Sequence, residues 1–286
     1  MAEVATFAMS DQLLVVIDPI ARRTDGESVR IAKDVLSAGA VTKVCLPEDP
    51  DEFARALARR GSRRPVVVGD DGALLRTVAL LHRQRQLAEC ALSVVPVGGA
   101  LSLAGSLGVP TGAVAAARAV LDGVERRLDL LVDDSDGVVL GGLRIPPIRD
   151  PAAPDGATAV GPGAGRPWLR TCQSLVRTLV PARGPSPTGS PGPSRLRVEV
   201  DGALLVDLDQ PVEAVSVTPG IAGLAEVEVR PVSVGAEASP LRAEGRTVTV
   251  SGAHFRYRAD TAVSGPVRRR TWTVGEGALR LVLPGR

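Results

Sequence analysis

Three short stretches carry residue types that can handle a phosphate group. They are Asp18-Pro19-Ile20-Ala21-Arg22-Arg23, Gly69-Asp70-Asp71-Gly72-Ala73 and Pro96-Val97-Gly98-Gly99-Ala100. Glycines in a turn let backbone N–H groups approach an anion, and a carboxylate beside them can hold Mg²⁺ or contact a nucleotide. Asp18, Gly69, Asp70, Asp71, Gly72, Gly98 and Gly99 are the candidate binding residues. The same residues also have a plain structural use: Gly69 and Gly72 permit a sharp strand-to-helix turn, and Asp70 or Asp71 caps the helix that follows.

The elements that must position these turns are written in the alternation of the first half. Short apolar runs at 13–18, 41–46, 65–70, 92–97 and 128–132, bounded by Pro, Gly or Asp, read as strands. Between them, 27–36, 51–60, 73–86 and 111–121 place apolar residues at helical spacing with charges on the other face. This alternation predicts a parallel sheet covered by helices. Ligands of such sheets sit beyond the carboxyl ends of the strands, where the three turns fall.

After residue 134 the character changes. The stretch 138–147 is strand-like, 150–167 is a Pro/Gly/Ala-rich loop, 168–179 is a short helix, and 181–194 is a flexible insertion of Pro, Gly and Ser. From 196 onward there are only strand patterns, at 196–200, 203–208, 225–232, 246–250, 269–274 and 278–283, with Asp201-Gly202 as a hairpin turn. The expectation is an α/β nucleotide-binding-like domain over 1–134 and a β-rich domain over 135–286, its last strand returning toward the first domain.

The order and spacing of the turns resemble the catalytic domain of bacterial diacylglycerol kinases and related lipid kinases. That family carries N-P-x-S-G after strand one, G-G-D-G-T after strand three, and P-x-G-T-x-N-D-x-A-R with a small-Leu-Gly-Ile-Pro run after strand four. Here the matching residues are Asp18 to Arg22, Gly69 to Ala73, and Pro96 to Gly105 followed by Ser106-Leu107-Gly108-Val109-Pro110. The likeness continues at Arg126-Arg127-Leu128-Asp129 and returns more weakly at 166–179, at Ala222-Gly223-Leu224-Ala225-Glu226-Val227, where the family has D-G-x-x-D-V, and over 255–284. It implies an ATP- and Mg²⁺-dependent lipid kinase fold.

The departures fall on the groups that would do the chemistry. The resemblance puts Asn, Gly and Thr where this chain has Asp18, Asp70 and Ala73, and Thr, Asn, Asp and Arg where it has Gly99, Leu101, Ser102 and Gly105. The change to Gly105 deletes a cation, and Asp70 beside Asp71 adds negative charge where ATP phosphates would approach. The family's base for the acceptor hydroxyl matches Ala222, which accepts no proton, and its D-G-E is reduced to Asp260-Thr261-Ala262. No catalytic residue is assigned. A pseudokinase with a binding or regulatory role is expected. The alternative is an active kinase of diacylglycerol or a related lipid, with Asp18, Asp70 and Asp71 holding Mg²⁺. A third reading has Leu101 and Leu103 close the cleft and leaves an outer surface for a protein partner.

Bulk properties bound the remaining classes. Among 286 residues, Lys and Arg number 34 against 32 acids, and aromatics are 2%, so neither net charge nor stacking residues point to nucleic acid. Cys45, Cys90 and Cys172 lack zinc-ligand spacing and read as reduced, buried thiols. Residues 1–11 have no signal-peptide character and no long apolar run follows, which predicts a cytoplasmic protein. His82 and His254 have no triad partners in the sequence. The clusters at 59–64 and 268–270 are solvated faces, or peripheral contacts to a lipid headgroup.

Overall fold

The structure, a computed structural model, describes residues 12–147, 193–232 and 239–285. The readings for 150–167, 168–179, Cys172, residues 1–11 and nearly all of 181–194 lie outside the described residues.

Every residue of β1 (Leu13–Ile17) is buried, because the strand is covered on both faces. Strand side chains alternate, so Leu13, Val15 and Ile17 enter one core while Leu14 and Val16 enter another. β1 pairs in parallel with β2 (Thr42–Cys45) and β3 (Arg64–Gly69), and β3 with β4 (Ser93–Pro96), in the order β2-β1-β3-β4. Helices α2 (Gly26–Gly39) and α6 (Ala113–Asp122) cover the Leu13 face through Val29, Ala32, Leu36, Ala116 and Val120. Helices α3 (Pro50–Ala58) and α4 (Asp71–Arg83) cover the other through Phe53, Leu57, Leu74, Val78 and Leu81. Two short helices, α1 (Pro19–Thr24) and α5 (Ser102–Ser106), occupy stretches that the sequence presents only as turns.

The strand expected at 128–132 does not join this parallel sheet. It is part of β5 (Val124–Asp133), which pairs antiparallel with the last strand, β14 (Ala262–Leu283). The flank of β4 is taken instead by the end of β14: Leu92 N–H donates to Arg280 O at 2.9 Å, and Val282 N–H to Leu92 O at 2.9 Å. Leu279, Leu281 and Leu283 thereby enter the core that holds Leu14 and Val16.

The other members of the second sheet are β6 (Val138–Val139), β7 (Leu143–Ile145), β8 (Ser194–Val200), β9 (Ala203–Val206), β10 (Pro211–Pro219), β11 (Ala225–Pro231), β12 (Leu241–Gly245) and β13 (Thr247–Ala259). Its order is β12-β11-β10-β7-β13-β14-β5-β6, with β8 bridging β10 and β13 and β9 beside β8. Trp272 and Tyr257 meet edge to face in its core, with ring centroids 5.2 Å apart. Asp201 and Gly202 both have positive φ, 49° and 80°, as a tight hairpin turn between β8 and β9 requires. The separate strands expected at 269–274 and 278–283 are one strand, β14, interrupted by a register shift between Gly275 and Leu279. β10 and β12 are additions to the sequence reading.

Candidate functional site

The three turns converge at the carboxyl end of the parallel sheet. A side chain on Gly69 would meet Ala73 Cβ at 2.6 Å and Asp18 Cβ at 3.0 Å, and one on Gly98 would meet Asp70 Cβ at 3.2 Å. Gly98 also holds φ +130°, which side chains rarely adopt. Asp18, Gly69, Asp70, Asp71, Gly72 and Gly98 are therefore mutual neighbours. Gly99 is at the edge, with nothing near its Cα on the side-chain side.

Each carboxylate in the group is already committed. Asp18, 2% exposed, caps α1 by accepting from Ile20 N–H at 2.8 Å and pairs its other oxygen with Arg76. Asp70 caps α4, its Oδ1 accepting from Ala73 N–H at 3.0 Å. Asp71 is fully buried and reaches in the opposite direction, to the start of α5. Its Oδ2 accepts from Leu103 N–H at 2.9 Å and Ser102 Oγ at 3.4 Å, and its Oδ1 from Ala104 N–H at 3.0 Å. Asp70 is thus the cap of the helix that follows, whereas Asp71 serves the start of α5 instead. α5 exists because a buried anion from a residue 32 positions earlier satisfies its first N–H groups.

These residues do not fit a bound Mg²⁺. Asp18 is neutralised by Arg76, Asp71 has spent both oxygens, and no group of three potential ligands occurs among the described residues. Nor is the turn after β3 open to a phosphate. The Asp70 carboxylate lies across it, 3.2 Å from where a Gly72 side chain would begin, and holds the α4 N–H that an anion would take. Where the resemblance implies a glycine, this chain carries the Asp70 carboxylate.

Opposite the turns, Asp260 sits at the β13–β14 hairpin with φ 49°. Burial pushes its carboxyl above the ordinary value, against the pull of backbone N–H groups of Leu140 (2.9 Å), Gly141 (2.7 Å) and Gly142 (3.1 Å); the nearby charge of Asp71 pushes the same way. Ala222 lies in an exposed turn at φ 59°, held through Gly223 N–H to Asp129 Oδ2 at 2.7 Å, and the other Asp129 oxygen takes Gly277 N–H at 2.7 Å. His82, 14% exposed, meets Asp136 at 2.8 Å, tying α4 to the β5–β6 turn. His254 accepts from Arg268 Nε at 3.3 Å. Leu103 is buried in the core and also lines the cavity beside α5. Cys90 is buried and Cys45 half-buried, both as free thiols.

Three arginines escape the sequence reading. Arg76 is one of many charges on an amphipathic helix, and its partner lies 58 positions away. Arg144 and Arg258 occupy outward positions of alternating strands, where a charge is ordinary. Only the pairing of β7 with β13 sets them side by side.

A doubly covered parallel sheet whose turns face a second, strand-rich sheet defines a class. Residues 12–132 match the family model of the diacylglycerol kinase catalytic domain. The particular structures it resembles are bacterial: two of a candidate diacylglycerol kinase and one of a diacylglycerol kinase, all from Bacillus anthracis str. Sterne. Their TM-scores are 0.68, 0.67 and 0.66 at 10%, 11% and 12% identity, covering 96% of this chain and 97–98% of theirs. At such identity the likeness establishes the fold. No curated protein matches the sequence. Among the described residues no helix is long and apolar enough to cross a membrane.

Proposed function

We propose that this chain is a pseudokinase of the diacylglycerol kinase family, which keeps the two-sheet cleft for a binding or regulatory role and transfers no phosphoryl group. The observation that carries this reading is Asp70. Its carboxylate occupies the turn where the family's glycine would leave backbone N–H groups free for ATP, and it caps α4 in place of the anion. Phosphoryl transfer depends on positioned phosphates, metal neutralisation and an oriented nucleophile. Asp18 and Asp71 have no free oxygen pair for Mg²⁺, Gly105 supplies no cation, and Ala222 supplies no base. ATP and Mg²⁺, the cofactors the family uses, find no prepared place among these residues.

The test is direct. Purified protein is incubated with Mg²⁺, labelled ATP and mixed lipids that include diacylglycerol, and the lipid fraction is counted. The expected result is no transfer above a heat-inactivated control. Label in the lipid that disappears in Asp18→Asn would sink the reading and restore the active kinase.

A further inference from the structure

On the polar face of the second sheet, β10, β7 and β13 run side by side, and the register sets Ser216, Arg144 and Arg258 in one row across them. Residues directly opposite in antiparallel strands project to the same face. Their neighbours Leu143, Ile145 and Tyr257 point the other way, into the core around Trp272. The row opens on a cavity of about 360 Å³ whose far wall is α5, through Ser102 and Ser106.

The two guanidinium groups have no carboxylate partner among the described residues. Nε of each is buried without a hydrogen-bond partner, and neither side chain has an ion pair among the described residues. On the same sheet Arg197, Arg230, Arg242 and Arg270 each meet a carboxylate, although Nε of Arg270 is likewise buried without a hydrogen-bond partner. The acid that does line the cavity, Asp260, has turned both oxygens to backbone N–H groups. Adjacent cations with unmet donors repel each other and lose hydration, a cost that an anion with several acceptor oxygens would remove from both at once.

We infer that Arg144 and Arg258 form a binding site for a phosphate group, carried by a small soluble molecule or by a lipid headgroup. Anion recognition is thereby placed on strands β7 and β13 rather than on the turns that Asp70 fills. The inference does not rest on the absence of turnover, because it is tested by binding without Mg²⁺ or acceptor lipid.

The experiment titrates the full chain with inorganic phosphate and with pyrophosphate, followed by calorimetry. In parallel it floats the chain with phosphatidylcholine vesicles that contain or lack phosphatidic acid. At least one phosphate source is expected to bind. R144Q/R258Q should weaken that binding by roughly a hundredfold, about tenfold for each charged donor lost, and R144K/R258K should fall between. R269Q, which removes an exposed arginine on β14, should change nothing. Without ligand, R144Q/R258Q should melt no lower than the parent, because it relieves a repulsion; a merely structural pair would lower the melting temperature. Soluble phosphates binding alone assigns a soluble ligand, and phosphatidic acid vesicles alone assign a headgroup. No binding to any of the three by the parent protein, or equal binding by a folded R144Q/R258Q, overturns the inference. If the double variant does not fold, R258K alone gives the same reading.

Discussion

The two walls that face each other across α5 solve the same electrostatic problem in opposite ways. On the α/β wall the three carboxylates at the turns are met from within: Asp18 by Arg76 and Ile20 N–H, Asp70 by Ala73 N–H, Asp71 by α5. On the strand wall Arg144 and Arg258 stand together with buried, unmet Nε atoms. A buried group without a partner costs free energy that the fold must offset elsewhere, whereas a partnered one supports local structure. The first wall therefore behaves as scaffold although its sequence looks like a ligand site, and the second has the unmet charge of a ligand site although its sequence looks like scaffold.

The largest test of this contrast is Asp71→Ala. It strands the N–H groups of Leu103 and Ala104 and deletes the carboxylate that meets the start of α5, so a loss of about 3 kcal/mol in urea denaturation is expected. Asp71→Asn, which keeps one acceptor oxygen, should lose about half as much. A change within experimental error in Asp71→Ala would mean that the carboxylate is held for a ligand rather than for α5.

Asp70→Gly asks the converse question. Glycine caps a helix only a few tenths of a kcal/mol less well than aspartate, so stability should barely move. The turn after β3, however, regains a free N–H and loses a negative charge. In the R144Q/R258Q background, which removes the strand-wall site, calorimetry with pyrophosphate should show binding at least roughly tenfold tighter with Asp70→Gly than without it. Equal affinity would show that something other than Asp70 closes the turn.

Much of the first wall was legible in the sequence, because β1, β3 and β4 are short apolar runs ended by Asp, Gly or Pro, and local chemistry suffices to read them. Asp70 could be read as either cap or ligand, since both uses demand the same residue at the same place. What was not legible is set by distance along the chain. The helix at Ser102–Ser106 is too short to show a period and depends on Asp71. Gly275-Glu276-Gly277 looks like a chain turn but is a local irregularity in β14, whose two halves both continue along β5. The sequence places the strand at Leu128 in the parallel sheet, because nothing local reveals that β14 reaches β4 first. Arg144 and Arg258 are 114 positions apart, and only strand pairing joins them.

The strand wall does use carboxylates where they have local work, and Asp133 sharpens the contrast at the smallest scale. It accepts from Ser135 N–H at 2.8 Å, Ser135 Oγ at 2.7 Å and Gly137 N–H at 2.9 Å, closing the β5–β6 turn. Burial pushes its carboxyl up, but those hydrogen bonds together outweigh burial and hold it below the ordinary value. A depressed carboxyl contributes stability that is present above the unfolded value of about 3.9 and is lost as pH falls through the folded one. Asp133→Asn should therefore cost about 1 kcal/mol at neutral pH. The difference from the parent protein should shrink as denaturation is repeated at falling pH below about 4. A difference that stays constant across that range would assign the loss to turn geometry instead of charge. Asp133 would then cease to be an example of a strand-wall charge satisfied from within, and the isolation of Arg144 and Arg258 would be less distinctive.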